Sequence, residues 1–245
     1  MSGVGILIPG NGPGTGPVIP SPLHSVGVEG YSRRYVAERL ADGSFPDAGW
    51  QNLGTAGASF SILSGAVGSV SKTTSGLQYV TIDNGTSGAM MIGDASVAAA
   101  TTRTFAMVYR LSSRVATDFL MFLPGVRIVC TGSGGVTIRM EAIGTGAAGQ
   151  INISSHSIGT WHLLIGVIDM ASPVLQLNGT TSTTITSGPW SLGTASSFTR
   201  LQVAGNATAD QKLDVAELIV WDQALGSTDR DAVRAALKAH YPVIP

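Results

Sequence analysis

Cleavage of a glycosidic bond needs two carboxylates across it, one as acid and one as nucleophile or base. The chain has four glutamates, Glu29, Glu38, Glu141 and Glu217, all well separated. Glu217 lies among Leu213, Val215, Ile219 and Trp221, where a buried carboxylate needs a partner. A hydrogen bond to backbone or to an arginine accounts for it better than a role as a lone catalytic acid. Glu141, in Arg139-Met140-Glu141-Ala142, stands alone in the sequence. No catalytic residue is assigned, and the chain is expected not to be an enzyme.

Gly144–Gly149, GTGAAG, matches the dinucleotide fingerprint letter for letter. That motif works because a helix N-terminus follows and receives the pyrophosphate. Here Gln150-Ile151-Asn152-Ile153-Ser154 follows and reads as a strand, so the glycines mark a hairpin. Gly10, Gly12, Gly14 and Gly16 lack the spacing, and no cofactor is expected. No Gly-x-Ser-x-Gly elbow occurs. His24, His156, His162 and His240 are dispersed, and His156 and His162 have no acidic or cysteine cluster beside them in sequence, so no metal site is assigned. Calcium at Asp83-Asn84 or Asp210 stays open on sequence grounds. Cys130, the single cysteine, sits in an apolar run and reads as a core filler, because buried thiols are inert. Asn84, Asn152, Asn178 and Asn206 head Asn-x-Ser/Thr triplets, which arise by chance in a Ser/Thr-rich chain. Trp190, in Ser-Gly-Pro-Trp-Ser-Leu-Gly, is the tryptophan in an evident loop and the candidate ring for stacking on a sugar; packing on a core ridge is the alternative.

Composition narrows the partners. A net charge of −1, with the basic residues scattered, provides no field for nucleic acid or anionic lipid. No stretch reaches the roughly 18 apolar residues of a membrane helix, despite a mean hydropathy of +0.28. Charged residues make up 12% of the chain, about half the usual share. Either much of the exterior faces other protein, or a Ser/Thr/Gly coat replaces charge.

The elements that must position these residues begin after a distinct segment. Residues 1–31 are dominated by glycine and proline, a composition that cannot build a core, and they are set apart as an extended arm. Met1–Pro9 has no basic n-region, which argues against a signal peptide. The islands Ile6-Leu7-Ile8 and Val18-Ile19 are the arm's candidate assembly contacts, with copies of the same chain or other particle proteins as partners.

Residues 32–245 read as one unit, a run of strands closed by a helix. Arg103–Leu111 alternates Phe105, Met107, Tyr109 and Leu111 against Ala106, Val108 and Arg110, the period of a half-buried strand. Gln78–Asp83, Asp118–Leu123, Val126–Thr131, Val136–Ala142 and Gly149–Ser154 are further strands. Asn178-Gly179, flanked by β-formers, signals a tight hairpin. Lys212–Trp221 is apolar on both faces, as in a central strand. The stretch Ser32–Leu40 is ambiguous and could be strand or short helix. Ser227-Thr228 offers an N-cap, Asp229 and Asp231 suit the first turn, and Val233, Leu237 and Tyr241 form the apolar stripe of a helix near Thr228–Tyr241.

Gly159-Thr160-Trp161-His162, Leu175–Gly179, Leu201–Gly205 and Leu213–Leu225 together resemble the closing half of the laminin-G/concanavalin A-like jelly roll. The likeness covers about residues 155–241 well and residues 45–115 loosely. It implies an all-β antiparallel jelly-roll sandwich with one short C-terminal helix. Hydrolases of that fold carry a Glu-x-Asp-x-x-Glu run on one strand, and this chain has none. Related domains include lectins and structural or adhesive parts of bacteriophage particles. Two functions follow as expectations. The first is a structural component of a bacteriophage virion, such as a tail, fibre or capsid-surface protein, assembling through its arm. The second is an extracellular carbohydrate-binding module, with a host-surface glycan as ligand.

Overall fold

The computed structural model describes residues 23–45, 49–55, 59–62, 67–83, 91–92, 102–113, 118–131, 137–143, 149–192, 201–203 and 212–245. The assembly contacts expected at Ile6, Leu7, Ile8, Val18 and Ile19 lie outside them, as do Asn84, Asn206 and Asp210. In chain order the strands are β1 (Arg33–Val36), β2 (Gly43–Ser44), β3 (Ser61–Ile62), β4 (Val67–Lys72), β5 (Gln78–Asp83), β6 (Met91–Ile92), β7 (Thr102–Ser113), β8 (Asp118–Leu123) and β9 (Val126–Thr131). They continue with β10 (Thr137–Ala142), β11 (Gly149–Ser154), β12 (Trp161–Asp169), β13 (Val174–Leu177), β14 (Thr180–Ser182), β15 (Ile185–Ser187), β16 (Gln202–Val203) and β17 (Lys212–Trp221). An α-helix, α1 (Ser227–His240), follows.

The strands form two antiparallel sheets, as the alternating sequence predicts. One runs β14-β13-β12-β7-β17-β5-β4-β2, with β1 also paired to β17; the other runs β15-β11-β10-β9-β8-β16-β6-β3. β17 is the axis of the first sheet. Along one side it pairs with β7, and along the other its first half meets β5 and its second half β1. A register shift between Val215 and Glu217 marks a bulge. Such an extra residue turns the strand, and it lies where β17 changes partner.

Between the sheets lies the main core. Phe105, Met107, Tyr109 and Leu111 of β7 and Leu213, Val215, Leu218 and Val220 of β17 face Ile128, Cys130, Ile138, Met140, Ile151 and Ile153 of the other sheet. Tyr35, Trp50 and Phe60 close one end as an aromatic cluster, with Tyr35 and Phe60 edge-to-face at 4.2 Å. On β12, Gly166 makes room for the Phe105 ring, since a Cβ would stand 2.2 Å from it.

A second core covers the outer face of the first sheet. Ala106, Val108, Leu163, Ile165, Ile219 and Trp221 pack under Val233, Leu237 and Tyr241 at α1, with Leu23 and Val28 beside them. Two expectations change here. β7 is buried on both faces, not half-buried, because α1 covers its even-numbered side. The self-packed unit also starts earlier than Ser32, since Leu23 and Val28, placed in the arm by composition, are buried in it. At the helix start Gly226 is the N-cap, with no side-chain cap bond, and Ser227 is already helical. Asp229 does occupy the first turn, whereas Asp231 pairs with Arg234 at 3.1 Å. The hairpin forms as expected, with φ of 51° at Asn178 and 102° at Gly179, the positive values a two-residue turn requires. No helix among the described residues is long and apolar enough to cross a membrane.

Candidate functional site

The polar groups singled out by sequence divide into those the fold locks and those it presents. Glu217 is locked. The bulge turns it toward α1, where Arg34 Nε donates to Oε1 at 2.6 Å and Tyr241 Oη donates to Oε2 at 2.6 Å. Burial works against the charge on Arg34, but the Glu217 carboxylate outweighs it and raises the pKa of the guanidinium. Burial first, and then the same carboxylate, push the Tyr241 phenol well above 10.0. Beside them His240 meets Glu38 at 3.2 Å. The hydrogen bond between them lowers Glu38 and raises His240. This cluster clamps the helix onto the sheet.

At the far end of that face Asp214 is equally engaged. Thr81 donates to Oδ1, and Ser112 and Arg110 donate to Oδ2. The Arg110 guanidinium lies over the edge-to-face pair of Tyr79 and Trp161, 5.2 and 5.1 Å from their ring centres. Trp161 is buried there and serves as packing for the arginine.

His156 and His162 come together, with ring centres 4.5 Å apart, and Cys130 Sγ lies 3.7 Å from His156 Nδ1. The fold brings together what the sequence disperses, yet both nitrogens of His162 are committed. Asn178 Oδ1 accepts from the Leu163 amide, so its Nδ2 donates to His162 Nδ1 at 2.8 Å. The other ring nitrogen, Nε2, faces Ser157, 3.0 Å from its carbonyl oxygen and 3.2 Å from its amide nitrogen. Burial holds the His162 pKa below 6.5. Among the described residues no group of three or more His, Cys, Asp or Glu is placed to hold a metal.

Gly149, the last glycine of GTGAAG, begins β11. A Cβ there would stand 2.5 Å from the Pro189 carbonyl oxygen and 2.6 Å from Trp190 Cα. Its bareness admits the crossing Pro189-Trp190 segment, which is a packing reason for the glycine. The same crossing corrects the sugar-stacking candidate. Trp190 is 8% exposed and belongs to the main core, so its ring offers no platform.

The outer face of the second sheet is different. Over β9, β10 and β11 it is part-exposed at Arg127, Arg139, Gln150 and Asn152 and buried at Val129 and Thr131. Register sets its side chains in cross-strand rows: Arg127, Glu141 and Gln150 in one, Val129, Arg139 and Asn152 in the next, Thr131, Thr137 and Ser154 in the third. Glu141 is the centre. Arg127 Nε donates to Oε2, Arg139 Nη1 to Oε1 at 3.2 Å and Gln150 Nε2 to Oε1 at 3.3 Å. Arg139 Nε donates to Asn152 Oδ1 at 2.9 Å, and Asn152 Nδ2 donates to Thr186 Oγ1 at 2.8 Å. Glu141 is 3% exposed, whereas the Arg127 and Arg139 side chains are 35% and 29% exposed. The outside thus meets guanidinium, amide and hydroxyl groups already held in place by one another. Such groups hydrogen-bond polyhydroxylated ligands.

No family model matches the sequence, and no curated protein matches it. Solved structures do match by fold. The binding domain of botulinum neurotoxin DC, in complex with SialylT, superposes with a TM-score of 0.57 at 8% identity, over 85% of this chain and 52% of that one. The binding domain of serotype D/C gives 0.59 at 9% identity with the same coverage. A Trypanosoma rangeli sialidase gives 0.54 at 10% identity, over 86% of this chain and 33% of the enzyme. The chain spans about half the length of the neurotoxin binding domains and a third of the sialidase. At this identity the likeness is one of fold, and that fold is an antiparallel jelly-roll β-sandwich.

Proposed function

We propose that the chain is a non-enzymatic, lectin-like module that binds glycans on the outer face of β9, β10 and β11. The observation that carries this reading is the hydrogen-bonded array of Arg127, Glu141, Gln150, Arg139, Asn152 and Thr186, in which all but Glu141 reach solvent. The neurotoxin binding domains support it at the level of fold, one of them being a complex with SialylT. Glu217 and Glu141 each serve as acceptors in ion pairs, which fits a binding role better than acid–base chemistry. Such a module works outside cells, either in the medium or on a particle surface. The virion reading, with copies of the chain and other particle proteins as partners, rests on the charge-poor composition and on the arm. The glycan reading has the geometry behind it.

A glycan array probed with the 245-residue chain tests the proposal. Binding to at least one glycan, weakened by Asn152→Ala and Gln150→Ala at an unchanged melting temperature, is the expected result. Binding unaffected by both substitutions would move the site off this face.

A further inference from the structure

We infer that the glycan taken by this face is acidic and carries a carboxylate, an inference that rests on the glycan-binding reading and narrows it. Strands β9, β10 and β11 hold three charged residues, Arg127, Arg139 and Glu141. Two guanidinium groups against one carboxylate leave a net positive charge in a protein whose overall charge is −1. The arrangement also hides the negative partner. Glu141 lies beneath, nearly inaccessible, while both arginine side chains reach solvent. An approaching ligand therefore meets cationic groups first.

The inner bonds set the plane of Arg139 without using it up. Arg139 spends Nε on Asn152 and Nη1 on Glu141, and Nη2 has no hydrogen-bond partner among the described residues. A guanidinium fixed on two sides loses little rotational freedom when it binds, and its flat array of donors matches the two oxygens of a carboxylate. Neutral donors and acceptors flank it: the Gln150 amide in the adjacent row, the Asn152 amide, and the exposed Thr186 hydroxyl. This combination fits a sugar acid, with the carboxylate on arginine and ring hydroxyls on the amides. A neutral sugar would leave the positive charge of the face without a counterpart. A purely anionic site would have no use for the surrounding amides.

Calorimetric titration of the 245-residue chain tests the inference, with sialyllactose and galacturonic acid oligosaccharides as acidic probes, lactose as the neutral control and sulfated lactose as the anionic control. At least one carboxylated probe should bind at least tenfold more tightly than lactose and than sulfated lactose, and its affinity should fall as salt is added. Arg139→Gln should weaken that binding by roughly tenfold to a hundredfold, the range for a hydrogen bond to a charged group. Arg139→Lys, which keeps the charge but not the fork, should recover only part of the loss. The melting temperature of each variant shows whether it is folded. If lactose binds as tightly as the acidic probes and Asn152→Ala weakens it, the glycan reading survives and the acidic preference does not. Preference for the sulfated probe overturns the carboxylate assignment, as does undiminished binding of an acidic probe by folded Arg139→Gln. If no glycan binds at all, both readings fall together.

Discussion

The two sheets turn very different outer faces away from their shared core. On the first, β7 and β17 present Ala106, Val108, Ile219 and Trp221, and α1 closes over them. On the second, β9, β10 and β11 bring Arg127, Arg139, Gln150 and Asn152 part-way into solvent, with Glu141 buried among them. Both faces contain a carboxylate almost out of reach of solvent. Glu217 is satisfied from within, by a residue of β1 and another just past the helix, so its bonds hold the chain to itself. Glu141 is satisfied sideways, by arginines that still face outward, so its bonds arrange a surface. The same residue type is structural in one place and presentational in the other because of what lies above it.

Breaking the closed face should cost the most. Glu217→Ala leaves Arg34 buried without its counter-charge, and loss of one partner of a buried pair costs about 3–5 kcal/mol. In a chain of this length that corresponds to a fall of roughly 6–20 °C in melting temperature, readable by scanning calorimetry. A fall of only a degree or two would mean that the clamp does not hold the helix. Leu237→Ala should follow at about 2–5 kcal/mol, the usual range for emptying a buried leucine site. Circular dichroism should show cooperative loss of helix and strand signals together. If the helix signal melts first, α1 is a separate flap and the face beneath it is closed only in part.

The open face should respond in the opposite way. Asn152→Ala is expected to cost no more than about 1 kcal/mol, as for a hydrogen bond that solvent can replace, while weakening glycan binding. A fall of many degrees would show that the array is structural after all, and would erase the contrast between the faces.

The smallest effect is one of pH. His240 has its pKa raised above 6.5 by Glu38, so its contribution is complete below pH 6.5 and fades as pH rises through its folded value. Glu38 is lowered from 4.5 by the same bond, so its share is complete above pH 4.5 and fades as pH falls through its folded value. The pair therefore supports the helix best between about pH 4.5 and 6.5. A partly exposed pair of this kind is worth about 0.2–1 kcal/mol. Melting temperatures from about pH 5.5 to 8.5 should decline slightly more for the wild type than for His240→Gln; equal slopes would mean that the contact does not stabilise the docked helix.

Much of this contrast is written locally in the chain, and some of it is not. Lys212–Trp221, apolar on both sides, reads as a central strand and is one, and the Asn178-Gly179 turn and the helical stripe of Val233, Leu237 and Tyr241 follow from short-range rules. The arginine partner expected for Glu217 is found in Arg34, 183 positions earlier. The open face cannot be read the same way. Glu141 looks isolated in the sequence because its partners Arg127 and Gln150 lie 14 and 9 residues away on neighbouring strands, and only register brings them abreast. Arg127, Arg139, Gln150 and Asn152 do occupy the outward alternate positions of their strands, a signal that is present but carries no instruction to combine them. Trp190 misleads for a related reason: a tryptophan in a polar loop looks exposed until the loop is seen to cross Gly149. Likewise the alternation of β7 announces one wet face, and a helix more than a hundred residues downstream makes that face dry.

The pairing of β1 with β17 also sets the order in which the molecule can be made. Ser32 donates its amide hydrogen to the Val220 carbonyl, across 188 residues. A ribosome adding about 5–20 residues per second leaves β1 waiting roughly ten to forty seconds for the strand it must join. The β8–β9–β10–β11 meander, whose neighbours follow one another closely, has its strand partners long before then, and only the β17 side of its core arrives late. The second sheet is thus positioned to begin assembling during synthesis, with the clamp between β1 and β17 locking later. Ribosome-stalled chains ending before Lys212 should show protease protection over Val126–Ser154 and none at Arg33–Val36.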